Sequence, residues 1–159
     1  MIKNTIKIAL VGQPNVGKSM LINSISNARL KVGNFSGVTV SKEQVFFDYK
    51  NFHIEIVDLP GAYSLNDYTI EEKVTKDFLN NEKYDIILNV LDSTNLQRNL
   101  LLTAELLTLD KKMIIALNMS DEAEKESILI DEIQLSKILG KPCIKTSAAK
   151  KKWNNKIIR

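Results

Sequence analysis

"GQPNVGKS", Gly12 to Ser19, stands between an apolar run, "IKIALV" at 6–11, and an amphipathic stretch, "MLINSISN" at 20–27. The spacing fits G-x-x-x-x-G-K-[ST], a loop that joins a strand to a helix and turns its backbone N–H groups toward phosphate oxygens. At average composition a chance match in a chain of 159 residues falls below about one per cent. The helix that follows adds its positive N-terminal end. Gly12, Gln13, Pro14, Asn15, Val16, Gly17, Lys18, Ser19 and Met20 are therefore assigned to phosphate binding. Lys18 reaches the β- and γ-phosphates and the Ser19 hydroxyl binds Mg²⁺.

Outward from this loop, short apolar runs alternate with amphipathic stretches, the βα pattern of a mostly parallel sheet. Strands are predicted at 5–11, 41–49, 52–57, 85–91, 112–117 and 142–146, and helices at 18–27, 69–80, 96–109 and 131–139. "DYKN" at 48–51 is a tight turn, so the second and third strands form an antiparallel hairpin at one edge. Thr69 with Glu72 makes a capping box, and Gly140 followed by Pro142 stops the last predicted helix. The fold class is α/β: a six-stranded, mostly parallel sheet with one antiparallel edge strand and helices on both faces. With only "KKWNNKIIR" after the last strand, the final covering helix is expected to be short or missing, and residues 1–159 form one domain.

Two aspartates end strands, Asp58 in "IVDLPG" and Asp92 in "NVLDST". Only Asp58 has a glycine three residues on, so Asp58 is assigned to Mg²⁺, through water, and the Gly61 N–H to the γ-phosphate. Asp92 precedes a Ser-Thr-Asn cluster and is read as a helix cap. "NMSD", Asn118 to Asp121, follows the strand "MIIAL". A carboxylate there accepts the paired N1–H and N2–H₂ donors of guanine, which adenine lacks, and leaving such a site unpaired is costly enough to discriminate. Asn118, Met119 and Asp121 are assigned to the base, joined by Ser147, Ala148 and Ala149 of "TSAAK". "VGNFSGVTV", 32–40, is read as a pliable loop whose Thr39 hydroxyl completes the Mg²⁺ shell when a γ-phosphate is bound.

Composition excludes other classes. A formal charge of +3, partly in the terminal lysines, with aromatics not interleaved among basic residues, argues against a nucleic-acid surface. No apolar run approaches the roughly 18 residues of a membrane-spanning helix. The one cysteine, Cys143, fits a buried strand in a reducing compartment. His53, without a second ligand type nearby, is read as a surface residue, and "DEAEKE" as a solvated face.

With these pieces assembled the chain resembles a Ras-like P-loop GTPase domain, and more narrowly the cytosolic G domain of the bacterial and archaeal ferrous iron transport protein B family. The narrow resemblance rests on "GQPNVGKS", "VGNFSGVTV", "DLPGAYSL", "LDSTNLQRNLLLTAELL" and "LNMSD", spread along the chain up to about Lys150. Phe35-Ser36 departs from it, since the family usually has Trp-Pro there. The resemblance implies GTP hydrolysis to GDP, a regulatory role in Fe²⁺ uptake at the cytoplasmic face of the inner membrane, and a membrane-embedded transporter domain beyond this soluble portion. It also implies that Asn15, with carbonyls near Gly33 and Phe35, holds K⁺ where other GTPases use an arginine.

Ras-like enzymes position water with a glutamine after D-x-x-G, and that place here is Ala62. Hydrolysis is therefore expected to be slow unless a cation supplies the missing charge, and the catalytic set is Asn15, Lys18, Thr39 and Gly61. Met119 stands where most GTPases have a lysine covering the base, so nucleotide exchange should be fast. The alternative is an Era-like GTPase of ribosome assembly or RNA modification, which would favour Asn-Lys-x-Asp and a basic extension.

Overall fold

The structure, a computed structural model, describes residues 4–25 and 28–150. Its strands are β1 (Asn4–Gly12), β2 (Arg29–Asn34), β3 (Ser41–Tyr49), β4 (Phe52–Asp58), β5 (Ile86–Asp92), β6 (Met113–Asn118) and β7 (Cys143–Lys145). The helices are α1 (Lys18–Asn23), α2 (Ile70–Asn81), α3 (Leu96–Leu107), α4 (Ser120–Lys125) and α5 (Glu132–Leu139). All seven strands join one sheet in the order β2-β3-β4-β1-β5-β6-β7. β1 is parallel to both β4 and β5, so the chain leaves on one side of β1 and returns on the other. That switch point opens a crevice at the carboxyl end of β1, which is where an open α/β sheet takes its ligand.

The sheet has seven strands where six are predicted. The extra one, β2, lies between the predicted first helix and the second predicted strand and takes in the start of the loop read as pliable. It pairs antiparallel with β3 from Arg29↔Phe46 to Asn34↔Ser41, making β2 the edge and placing antiparallel β3 one position inside. All six of its residues are exposed, so no burial pattern marks it in the sequence. What holds it is the open backbone edge of β3. α1 correspondingly ends at Asn23, where the Ser24 hydroxyl bonds the Leu21 carbonyl. "DEAEKE" contributes to α4, which buries only Ala123. The expected final helix lies outside the described residues.

Helices cover both faces. Val11, Val57, Ile87, Ile115 and Leu117 on one face meet Val74 and Phe78 of α2 and Leu102 and Leu106 of α3. On the other face Leu10, Ile54, Ile56, Leu88 and Val90 meet Leu21 and Ile22 of α1. The central parallel strands, buried on both sides, fix the strand ends that carry the site.

Candidate functional site

Gly12, Asp58, Asp92 and Asn118 all end strands on the same side of the sheet. Residues 12–19 form the loop between β1 and α1, with Asn15 at φ 64° and Gly17 at φ 90°. A Cβ at Gly17 would be strained by that angle and would overlap the Asn118 side-chain amide. Asn118 ties the whole site together. Its amide donates to the Val16 carbonyl (2.9 Å), and its Oδ1 accepts from the Thr146 hydroxyl and the Ala148 N–H, each at 3.2 Å. One side chain, 2% exposed, thus joins the phosphate loop, the end of β6 and the "TSAAK" loop.

Lys18 Nζ lies 4.0 Å from Asp58 Oδ1, both side chains about nine-tenths buried. Burial pushes the Asp58 carboxyl up to about 6, opposed by Lys18 and assisted by neighbouring Glu43, while burial lowers Lys18. Asp58 Oδ1 is buried with no hydrogen-bond partner. A buried carboxylate oxygen without a donor is the chemistry that a hard, oxygen-seeking cation satisfies, so Asp58 fits Mg²⁺. Asp92 is no competitor: its Oδ1 accepts from the Thr94 N–H (2.8 Å) and hydroxyl (2.6 Å), capping the 3-10 turn before α3.

Asp121 opens α4 and its carboxyl is held below the usual range, first by the Ser147 hydroxyl and further by Lys150, whose Nζ is 3.5 Å away. It is an ionised acceptor, as guanine recognition requires. Met119, at φ 57°, extends its terminal methyl beside Gly17, so the thioether lies against the phosphate loop.

The two segments assigned to γ-phosphate sensing are arranged differently. Gly61 sits directly against Pro14, and a Cβ there would come within 3.0 Å of the Pro14 backbone. The Ala62 N–H bonds the Gly12 carbonyl (3.2 Å), joining this segment to the end of β1. Thr39, in contrast, is exposed and makes no hydrogen bond among the described residues, and Phe35 is buried edge-on to Phe78 (centroids 6.3 Å apart). Gly33 pairs with Lys42 in the β2–β3 ladder, and the Phe35 carbonyl accepts from the Val38 N–H (3.3 Å). Among the described residues no hydrogen bond joins residues 33–39 to Asn15. Asn15 itself is exposed, and its side chain does not bond its own backbone. That amide carbonyl, without a hydrogen bond among the described residues, fits a K⁺ ligand, while the two loop carbonyls stand in the hairpin and not around it.

Sequence reasoning missed the residues that hold "AYSL", 62–65. Glu72, read only as part of a capping box, is 5% exposed and its Oε1 lies 3.3 Å from the Ser64 N–H and 3.4 Å from the Ser64 hydroxyl. Gln13 donates to the Arg98 carbonyl of α3 (2.8 Å), and the Arg98 guanidinium lies 4.6 Å over the Tyr63 ring. A carboxylate eight residues downstream was the one available signal, and it carries no distinctive spacing.

A profile of the ferrous iron transport protein B family matches residues 6–159. The Fe(2+) transporter FeoB of Helicobacter pylori is 64% identical over 146 residues, which are 92% of this chain and 23% of that protein. The chain therefore spans about a quarter of the length of this relative. The crystal structure of the G domain of the T. maritima FeoB iron transporter superposes with a TM-score of 0.86 at 41% identity, covering 92% of this chain and 90% of that one. The cytosolic domain of the same transporter in its GMPPNP form gives a TM-score of 0.86 at 42% identity, covering 90% and 57%.

Proposed function

Because this chain belongs to the ferrous iron transport protein B family, we propose that it binds GTP with Mg²⁺ and hydrolyses it slowly, as the cytosolic switch of a ferrous iron transporter. The Asn118 hub carries this reading. It ties the phosphate loop to the "TSAAK" loop beside Asp121, which supports a ligand with both a phosphate chain and a guanine edge. Lys18 and the loop amides neutralise the phosphates, and Ser19, Asp58 and Thr39 are the oxygens that hold Mg²⁺. The metal supplies charge neutralisation at the β- and γ-phosphates. Gly61 offers its N–H to the γ-phosphate, and Asp121 fixes the base with Ala148 and Ala149 beside it.

With Ala62 in place of glutamine, the chain's residues orient water by backbone alone. Asn15 would hold K⁺, joined by the Gly33 and Phe35 carbonyls only on residues 33–35 leaving the hairpin, and the ion would supply positive charge to the phosphoryl transfer. Thioether packing by Met119 covers the base less well than a lysine stem, so nucleotide exchange is fast. The parent protein carries the membrane-embedded part, places this domain at the cytoplasmic face of the inner membrane, and moves Fe²⁺ under its control.

Asp58 makes this reading testable by pH. Its carboxyl pKa is raised in the folded chain, so its contribution to stability is full below the unfolded value near 4 and is lost as pH rises through about 6. Mg²⁺ requires the opposite, ionised form. The Mg²⁺-dependent part of GTP binding should therefore weaken about tenfold per pH unit below about 6. Calorimetry with and without Mg²⁺, from pH 5 to 8, checks it with Asp58→Asn as control. Absence of Mg²⁺-promoted GTP binding at pH 7.5 would sink the reading.

A further inference from the structure

The segment after D-x-x-G is held at four consecutive residues. Ala62 is bonded to the Gly12 carbonyl, Tyr63 lies under Arg98, Ser64 meets Glu72, and the Leu65 N–H donates to Glu105 Oε2 at 2.7 Å. Two of these anchors, Arg98 and Glu105, come from α3 and are seven residues apart, two helical turns, so they share a face. We propose that Arg98 and Glu105 are positioning residues for GTP hydrolysis: α3 clamps Tyr63 and Leu65 and so sets the Gly61 N–H against the γ-phosphate. This rests on the hydrolysis reading above.

The physical reason lies in Ala62. A side-chain glutamine can adjust to its water, whereas a backbone N–H aims only as well as the chain that carries it. Electrostatic stabilisation is worth most when the donors are fixed before charge develops. Glu105 gives a short, charge-assisted bond to a backbone N–H that is half-buried, and the Arg98 guanidinium stacks on an aromatic face. Gln13 bonds the carbonyl of Arg98 itself, so the clamp and the phosphate loop share one framework. Of the bonds that hold the segment, those at Gly12 and Gln13 reach the phosphate loop.

Glu105→Ala and Arg98→Ala are expected to lower kcat for GTP about tenfold and a few-fold respectively, with GDP affinity changed less than about twofold. Arg98→Lys, which keeps a cation over Tyr63, should recover most of the loss. Amide hydrogen exchange gives a readout independent of turnover: the Leu65 N–H should be protected in the wild type and fast in Glu105→Ala. Because Arg98 is exposed, its variants carry the test if Glu105→Ala fails to fold. Unchanged kcat in Glu105→Ala alongside a fast Leu65 amide would overturn the proposal. So would a parallel fall of kcat and GDP affinity. A wild-type chain that turns over no GTP would instead fail the hydrolysis reading, while the Leu65 exchange contrast would persist.

Discussion

Asp121→Ala is expected to reduce the preference for GTP over ATP by about 10³-fold or more. The carboxylate is kept ionised by the Ser147 hydroxyl and Lys150, so it offers two acceptor oxygens to the paired donors of guanine. Adenine presents no such pair and leaves the carboxylate unsatisfied, which is where the discrimination arises. The substitution removes that penalty together with the attraction, so GTP weakens and ATP approaches it. Asp121 lies in the first turn of α4 and outside the core clusters, so the fold should persist. Competition of GTP and ATP against a fluorescent GDP checks it, and a preference kept in the variant would move base selection elsewhere.

Asn118→Ala should cost both stability and affinity. It strands the Val16 carbonyl, the Thr146 hydroxyl and the Ala148 N–H in a region almost without water access. Leaving such groups unpaired costs about 2–4 kcal/mol in total, which lowers the melting temperature by about 5–12 °C for a domain of this size. The phosphate loop and the "TSAAK" loop would then move independently, and GDP affinity should fall about 100-fold as well. Thermal melting and calorimetry measure the two losses separately. A variant that melts like the wild type would mean that the loops are held in some other way.

How much of this was legible in sequence follows from how each feature is enforced. The placement of the motifs at 12–19, 58–61 and 118–121 is readable because each follows an apolar strand at a fixed offset, and all three strands end on the same side of the sheet. The central strands are readable because burial on both faces makes them continuously apolar. β2 is not readable: its six residues are all exposed, and backbone pairing with β3 leaves no compositional trace. The clamp on residues 62–65 is equally silent, since Leu65 and Glu105 meet across 40 positions through one side chain and one backbone N–H. The same holds for Phe35, read in sequence as part of a pliable loop and found packed against Phe78. Asp92 shows the converse, because its cap on Thr94 follows from the Ser-Thr-Asn cluster alone.

The central claim is that a site with Ala62 in place of glutamine takes its missing charge from a cation held by Asn15. Steady-state GTP turnover in KCl and in NaCl, at equal ionic strength and saturating Mg²⁺, tests it most directly. The wild type should turn over about tenfold or more faster in K⁺, and Asn15→Ala should be slow and alike in both salts. Equal wild-type rates in the two salts would contradict it.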